Sequence, residues 1–383
     1  MEKNYDVIIV GAGSIGVQTA LSLSQEKFSV LVIDKLTAPG QGQSKKAIGG
    51  IRATFSDKAK IHIGLESIEV FSTWEEKYGD DIGWRADGYS YPAYTDKDER
   101  TLKDLLKIQK SFGLNIEWVS PEEYVKLVPG INREGLRGST YSPEDGNASP
   151  LLSVNAFYFK SKEFGAEYHF NEEIIGVEKK NGAIVGIKTN RGNYNCKILI
   201  NAAGADAKKL GQMVEIDIPV HPDCHEAGVT EPVQKFFKTM VVDLRYGPGS
   251  SNCYFYQDSE EQVVFCLTPE PPINGTDARS TSVFLPQISR RMIDLFPKLK
   301  NIKVRRTWRG LYPETPDGSP IVGKTKIDGF ILAVGMCGQG FMLGPGVGKL
   351  ITRILTNNLS KDDEDTLKSV SLYRDFTGEE KLK

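Results

Sequence analysis

The chain has 383 residues and a formal net charge of −2 at pH 7. One hydrophobic core rarely serves more than roughly 250–300 residues, so this length favours two domains. The near balance of charge gives no electrostatic case for a nucleic-acid partner, which would need a basic surface, and it favours a small-molecule partner. The sequence shows neither the roughly 18 consecutive apolar residues of a membrane span nor a signal-peptide pattern, so we expect no transmembrane segment and a cytoplasmic protein.

The cysteines and histidines are scattered along the chain. The five cysteines form no CxxC pair, so the sequence predicts ordinary buried thiols rather than disulfides or a zinc site. The four histidines lack a metal-ligand spacing such as HExxH, so we expect no metal site. The difficult chemistry is therefore expected of an organic cofactor.

The chain begins with a strand, a glycine turn, a helix and a second strand. Gly11, Gly13 and Gly16 have the spacing GxGxxG directly after the apolar run at 5–10. In such a turn the glycines allow a tight bend, a close approach of a pyrophosphate and close packing of helix on strand. Asp34 ends the second strand 18 residues after Gly16, where a carboxylate accepts hydrogen bonds from ribose hydroxyls. The segment predicts a dinucleotide-binding unit.

The rest of the chain alternates between helical and strand-like patterns. Apolar residues at three- and four-residue spacing indicate helices, and short β-branched runs indicate strands. Helices are expected at 57–78, 99–112, 120–127, 153–164, 283–296 and 346–355, and strands at 174–177, 184–187, 197–200, 239–245, 263–268 and 329–335.

Further segments, spread over nearly the whole chain, carry a recognisable pattern. They are residues 44–52 (SKKAIGGIR), 145–146 (DG) with Pro150, 199–205 (LINAAGA), 308–318 (WRGLYPETPDG) and 335–342 (GMCGQGFM). In order and spacing they resemble the D-amino-acid oxidase superfamily of flavoproteins. The resemblance is to the branch that contains sarcosine oxidase, glycine oxidase and the β subunit of dye-linked L-proline dehydrogenase.

The resemblance implies FAD as the cofactor and disfavours an NAD-dependent dehydrogenase, which the glycine turn alone leaves open. Gly310 stands where monomeric sarcosine oxidases have the cysteine that attaches their flavin, which implies noncovalent FAD. Cofactor contacts are expected from Gly11, Gly13, Ser14, Ile15, Gly16, Asp34, Lys35, Ser44, Gly49, Gly50, Val177, Ala203, Gly204, Gly310, Gly335, Cys337, Gly338, Gln339, Gly340, Phe341 and Met342.

The fold class expected from these patterns and from the resemblance is α/β (α+β). It comprises a Rossmann-like FAD-binding domain and a second, mainly antiparallel-sheet substrate domain. The FAD-binding domain is expected to take residues 1–87, 148–217 and 318–383, and the substrate domain residues 88–147 and 218–317.

Arg52 is the first candidate for binding a substrate carboxylate, because it stands where sarcosine oxidase relatives present an arginine to that group. A guanidinium suits this role because it pairs bidentately with a carboxylate, although holding a phosphate or a neighbouring loop stays an alternative. Met342 replaces a lysine of sarcosine oxidase relatives, and Tyr312 and Gly338 replace arginines of glycine oxidase relatives. The second carboxylate anchor is therefore unassigned.

Arg306, Arg309 and Tyr254 are the alternatives for this second anchor. Tyr254 and Tyr312 join Arg52 as the candidate catalytic residues. His225 is expected either in the substrate cavity or at a surface strand position. Ordinary packing stays open for the tyrosines.

The function implied is FAD-dependent oxidation of the C–N bond of a small amino acid by hydride transfer to the flavin N5 atom. Proline, sarcosine, glycine and D-amino acids are the expected substrates. Oxidation of a hydroxy acid or glycerol phosphate, and a flavin-holding subunit without turnover, are the alternatives. The electron acceptor is either O2 or a dye, quinone or partner protein. A dehydrogenase with a partner flavoprotein or electron-transfer subunit is favoured.

Overall fold

The structure is a computed structural model that describes residues 3–382. Its strands form two eight-stranded sheets and one two-stranded ladder. In chain order the strands are β1 (Lys3–Val10), β2 (Val30–Asp34), β3 (Gly50–Ile51), β4 (Tyr89–Ala93), β5 (Glu117–Val119), β6 (Gly138–Ser142), β7 (Gly146–Asn147), β8 (Glu167–Phe170), β9 (Ile174–Lys180), β10 (Ala183–Thr189), β11 (Asn193–Asn201), β12 (His221–Pro232), β13 (Met240–Asp243), β14 (Ser250–Gln257), β15 (Gln262–Pro269), β16 (Val304–Glu314), β17 (Ile321–Lys324) and β18 (Phe330–Val334).

Several of the longer helices, including those at Ser14–Gln25 and Gly340–Thr356, pack beside the first sheet. None of the helices within residues 3–382 has both the length and the apolar character of a membrane span. In chain order they are α1 (Ser14–Gln25), α2 (Lys58–Tyr78), α3 (Asp96–Ser111), α4 (Pro121–Leu127), α5 (Pro150–Glu163), α6 (Ala207–Met213), α7 (Phe284–Leu295), α8 (Gly340–Thr356) and α9 (Lys361–Ser369), with short 3-10 helices at Ser44–Lys46, Gly204–Asp206 and Pro297–Asn301.

The first sheet is built around β1, which pairs in parallel with β2 on one side and β11 on the other. Its strand order is β17-β18-β11-β1-β2-β8, and the antiparallel hairpin β9-β10 attaches to β11. The β-branched residues of β1 and β2 are buried on both faces, as expected for parallel strands covered by helices. Helix α1 packs against α8 and α5 on one of these faces.

The second sheet has the order β16-β12-β15-β14-β13-β4-β6-β5. Its pairs are antiparallel except β13 with β4. The sequence-based expectation of an α/β (α+β) fold with a mainly antiparallel second domain is therefore confirmed. The strands of this sheet come from residues 89–142 and 221–314, and the five-segment division of the chain stays a prediction.

Helix α8 differs from the expectation at its N-terminus. The sequence predicted its start at residue 346, whereas the helix begins at Gly340 and contains Pro345. Proline inside a helix disturbs the local hydrogen-bond ladder, which made the earlier turn look non-helical. The Ser67 hydroxyl accepts a hydrogen bond from the Gly346 backbone N–H at 2.9 Å, so a side chain of α2 compensates for the disturbance.

The cysteines lie where the sequence analysis expected them. All five are free and buried: Cys196, Cys224, Cys253, Cys266 and Cys337. Burial raises the pKa of Cys337 to about 12, so its thiol is protonated at neutral pH.

Candidate active site

A cavity of about 1290 Å³ lies between the two sheets. One end is lined by the glycine turn after β1 and by the carboxyl ends of β2 and β11. The other end is lined by residues of the second sheet, including Tyr254 and Tyr312. Ligands of open parallel sheets bind at the carboxyl ends of the strands, so this cavity is in the expected place.

The first end of the cavity is formed mainly by backbone. Helix α1 begins at Ser14 and has no acidic residue in its first turn, so the positive end of its dipole is available to a phosphate. A Cβ atom at Gly16 would overlap the Gly11 carbonyl oxygen, and only glycine permits this approach of helix and strand. The Ser14 N–H donates to the Ser44 hydroxyl at 2.9 Å, which fixes the neighbouring loop.

Asp34 is held at the end of β2 by two backbone donors. Its carboxylate accepts hydrogen bonds from the Ala12 N–H at 2.7 Å and the Leu36 N–H at 2.8 Å. The side chain also lines the cavity, as an acid that binds ribose hydroxyls must. Next to it, Lys35 forms an ion pair of 2.7 Å with Asp206.

The second sheet holds the loop at residues 43–50 through polar contacts. The Trp308 Nε1–H donates to the Lys46 carbonyl at 2.8 Å, and the Leu311 N–H donates to Gln43 Oε1 at 2.8 Å. The Tyr256 hydroxyl donates to the Ile48 carbonyl. Residues of β14 and β16 therefore fix this loop through hydrogen bonds.

The turn before α8 places backbone and an unpaired amide at the cavity. Gly338 has a φ of +76°, and a Cβ atom there would overlap the ring of Tyr312. The two positions where glycine oxidase relatives have arginines are therefore linked sterically in this chain. The buried side-chain oxygen of Gln339 has no hydrogen-bond partner, and α8 begins at Gly340 without an acidic residue in its first turn.

An aromatic and acidic group of side chains lines the second end of the cavity. The hydroxyls of Tyr254 and Tyr312 are 2.8 Å apart, and the Tyr312 ring stacks on His225 with ring centres 3.8 Å apart. His225 Nε2 lies 3.0 Å from the Asp223 carboxylate, and both side chains are buried. Burial raises the pKa of both tyrosines well above 10, so their hydroxyls stay neutral and can donate hydrogen bonds.

Arg52 borders the same cavity and is buried. Its guanidinium donates to the backbone carbonyls of Thr54 and Leu382, and lies 4.1 Å from the ring centre of Phe55. Asp145 holds the adjacent backbone, because its carboxylate accepts a hydrogen bond from the Ala53 N–H at 2.9 Å. Burial raises the pKa of Asp145 to about 6.

The structure brings most of the sequence-predicted site residues together. The three candidate catalytic residues line the cavity, and so do all the predicted cofactor residues except Gly16, Val177 and Gly335. Val177 lies further along β9, and Ile174 of the same strand lines the cavity in its place. Gly16 acts indirectly, through the helix packing described above.

Of the three candidates for the second carboxylate anchor, only one lines the cavity. Tyr254 lines the cavity, whereas the exposed Arg306 and the buried Arg309 do not belong to its lining. Arg309 instead donates to the Arg279 carbonyl at 3.2 Å. Sequence reasoning left His225 open between two positions, and the structure places it in the lining.

Sequence reasoning missed several lining residues, among them Tyr89, Tyr91 and Glu379. The tyrosines lie on β4 in the inserted segment, and Glu379 lies close to the C-terminal end of the chain. No local motif marks any of them, because only the fold brings these distant segments to the cavity.

A cluster of charged side chains joins three helices away from this cavity. His62 and Asp363 are 3.3 Å apart. Together with Glu66 they offer one imidazole and two carboxylates, which are side chains that can bind a metal ion. Arg353 binds both acids, with Nη2 distances of 2.9 Å to Glu66 and 2.6 Å to Asp363. The cluster therefore has an internal cation and ties α2, α8 and α9 together.

Comparisons with known proteins agree with this geometry. The family model described as FAD dependent oxidoreductase matches residues 6–354, and the chain belongs to this family. It is 25% identical to the sarcosine oxidase subunit beta of Rhodobacter capsulatus, over 94% of this chain and 86% of that protein. It is also 25% identical to the glycine oxidase of Geobacillus kaustophilus, over 93% of this chain and 94% of that protein.

Among solved structures, L-proline dehydrogenase from P. horikoshii superposes with a TM-score of 0.92 and 30% identity, covering 99% of this chain and 100% of that one. The chain is thus an FAD-dependent oxidoreductase whose relatives include amino-acid oxidases and dehydrogenases. The backbone donors at the start of α1, the Asp34 carboxylate and the turn before α8 all suit FAD. They would hold the diphosphate, the ribose and the flavin ring respectively.

Proposed function

We propose that this protein is a dehydrogenase of a small amino acid and that L-proline is the first substrate to test. The observation that carries the proposal is the buried guanidinium of Arg52 in the cavity that also contains the FAD-binding turns. The likeness to L-proline dehydrogenase, at 30% identity, supports the choice of proline. Sarcosine, glycine and D-amino acids are the next candidates.

Arg52 would bind the substrate carboxylate. An arginine presents five N–H donors in a planar fork, and the two backbone carbonyls that Arg52 binds leave donors free for a carboxylate. Burial increases the strength of such a pair because water does not screen it. Binding by this contact would orient the carbon next to the amine, and orientation is the main requirement of this reaction.

Tyr254 and Tyr312 would form the opposite wall. Their hydroxyls are neutral and bonded to each other, so one of them can still donate a hydrogen bond to the substrate. Tyr312 is held between His225 and Gly338, which fixes the position of this hydroxyl. Bound FAD supplies the acceptor for the hydride that leaves the substrate carbon.

FAD is proposed to be noncovalent. Gly310 offers no side chain for attachment, and a Cβ atom at this position would lie 3.3 Å from the Cβ atom of Lys46. Acid precipitation of the purified protein is expected to release the yellow cofactor into the supernatant. Colour that stays with the precipitate would contradict this part of the proposal.

A partner subunit is proposed as the route for electrons. The relatives named as sarcosine oxidase subunit beta and hydrogen cyanide synthase subunit HcnC support this, because their names describe subunits. Gel filtration of the chain alone and after co-expression with neighbouring genes tests it. An unchanged elution volume, together with full activity of the chain alone, would contradict it.

Oxidation of a hydroxy acid is the second candidate function, and one observation favours it. The buried pair of His225 and Asp223 lines the cavity, and an alcohol substrate needs a base of this kind to remove its hydroxyl proton. An amine that binds in its neutral form does not need one. The two candidates are therefore distinguished by the substrate that reduces the cofactor.

The test is an anaerobic absorbance experiment on the purified protein. L-Proline, sarcosine, glycine, D-amino acids, lactate and glycerol 3-phosphate are added in turn, and the flavin band is recorded. Bleaching by proline or another amino acid supports the proposal, and dichlorophenolindophenol should then reoxidise the flavin faster than O2. Bleaching by lactate or glycerol 3-phosphate alone would contradict the proposal and support oxidation of a hydroxy acid.

A further inference from the structure

The segment 379–382 lies against the substrate end of the cavity with a strict alternation of burial. Glu380 and Leu382 are buried, whereas Glu379 and Lys381 are exposed. Two-residue alternation is typical of an extended segment with one face packed on the protein. The segment is therefore docked through its even-numbered side chains.

Glu380 fixes the segment to Ser56 and to the first turn of α2. One carboxylate oxygen accepts hydrogen bonds from the Ser56 N–H at 2.9 Å and the Ser56 hydroxyl at 2.7 Å. The other oxygen lies 2.7 Å from Lys60 Nζ, and neither side chain is accessible to solvent. A buried carboxylate with a cation and several donors is held in one position, because any displacement leaves a buried charge without its partner.

Leu382 fixes the segment to the second sheet and to Arg52. Its side chain belongs to the buried cluster that contains Tyr89 and Tyr91 of β4. Its N–H donates to Glu380 Oε1 at 2.9 Å, and its carbonyl accepts a hydrogen bond from the Arg52 guanidinium. The segment thus connects Lys60, Arg52 and β4, which the chain supplies from three separate regions.

We propose that the segment 379–382 positions Arg52 for the substrate carboxylate. Thr54 and Leu382 hold the two terminal nitrogens of the guanidinium from two sides, and the Phe55 ring supports its face. An arginine that is held in one rotamer binds a carboxylate without losing side-chain freedom, which improves affinity. Leu382 is therefore a positioning residue, and this inference rests on the proposed carboxylate role of Arg52.

The experiment measures binding to the FAD-loaded enzyme by isothermal titration calorimetry. The probes are cyclopentanecarboxylate, which has the shape of proline without its nitrogen, and cyclopentanecarboxamide, which has no charge. Leu382→Ala is expected to weaken binding of the carboxylate about tenfold, or about 1.4 kcal/mol, and to leave binding of the amide unchanged. Flavin content and melting temperature are recorded for each variant.

Three further variants make the result decisive. Lys381→Ala changes the exposed side of the same segment and should match the wild type. Leu382→Met keeps the buried volume and should restore carboxylate binding, and Leu382→Val gives a milder change if Leu382→Ala does not fold. In the Arg52→Met background, Leu382→Ala should cause no further loss, because both changes act on one contact.

The outcomes separate this inference from the proposed function. If Arg52→Met weakens carboxylate binding but Leu382→Ala and Leu382→Val do not, the positioning role is wrong and the anchor stands. If the Leu382 variants bind the carboxylate more tightly, the segment competes with substrate and the inference is also wrong. If the wild type does not prefer the carboxylate, or Arg52→Met does not weaken its binding, both the anchor and the inference are overturned.

Discussion

The two ends of the cavity are built in different ways. The cofactor end consists largely of backbone, with glycines at fixed spacing, two helix N-termini and one acid at a strand end. The substrate end consists of side chains that come from β4, β12, β14 and β16, from the loop at residues 50–56 and from the segment 379–382. The cofactor end therefore tolerates little change of shape, whereas the substrate end can change its chemistry one side chain at a time.

The largest expected effect is at the cofactor end. Gly16→Val would force a side chain into the Gly11 carbonyl, so α1 would move away from β1 and the phosphate site would be lost. We expect purified protein with almost no FAD, measured by absorbance at the flavin band. Gly192→Ala is the matched control, because a Cβ atom there meets only the end of the Tyr194 ring at 3.8 Å. Full FAD content in Gly16→Val would contradict the comparison.

The second prediction concerns stability at the substrate end. Burial alone would raise the pKa of Glu380, but the charges of Lys60 and Arg52 outweigh it and lower the pKa to about 2. A carboxyl whose pKa is lower in the folded chain stabilises the fold above its unfolded pKa of about 4.5, and this contribution is lost as pH falls towards 2.

Glu380→Gln tests this stabilisation. The variant is expected to be about 3 kcal/mol less stable at pH 7, because it leaves the buried Lys60 without its partner. The difference in melting temperature from wild type should shrink as the pH falls from 4.5 towards 2. Glu379→Gln, on the exposed side, should show no such difference. If the difference in melting temperature between Glu380→Gln and wild type does not depend on pH, Glu380 is not ionised in the folded chain.

The smallest effect is expected at the tyrosine pair. Tyr312→Phe removes the hydrogen bond to Tyr254 and keeps the ring between His225 and Gly338. A hydrogen bond of this kind contributes about 1 kcal/mol, so kcat/KM should fall about fivefold. The double variant Tyr254→Phe/Tyr312→Phe should lose less than the sum of the single losses, because both remove the same bond. Full additivity would show that the hydroxyls act separately.

Most residues that the sequence assigned to the cofactor line the cavity, and the signals that marked them are local. The glycine spacing, the acid at Asp34 and the turn at residues 335–342 each describe a backbone shape within a few residues. Val177 is an exception. It lies on the expected strand, but Ile174 of that strand lines the cavity instead. Burial along a strand depends on its neighbours, and sequence spacing alone does not fix it.

The substrate end was predicted only in part. Arg52 and Tyr312 were proposed from the family resemblance and Tyr254 from a strand-like pattern, but the contact of Leu382 with Arg52 joins residues that are 330 positions apart. The packing of Tyr312 on His225 also depends on the register of β12 and β16, in which His225 pairs with Gly310. Contacts of this kind follow from the assembled fold, and no motif encodes them.

Recognition of a carboxylate by Arg52, beside the bound FAD, is the property on which the proposed function depends most. The most direct measurement is the anaerobic rate of flavin reduction by L-proline and by pyrrolidine, which lacks the carboxylate, in wild type and in Arg52→Met. In wild type, proline should reduce the flavin far more efficiently than pyrrolidine. In Arg52→Met, the efficiency of flavin reduction by proline should fall at least about thirtyfold and approach the efficiency with pyrrolidine. The efficiency with pyrrolidine should be the same in the variant as in wild type. Equal loss for both amines, or no loss for proline, would contradict the account.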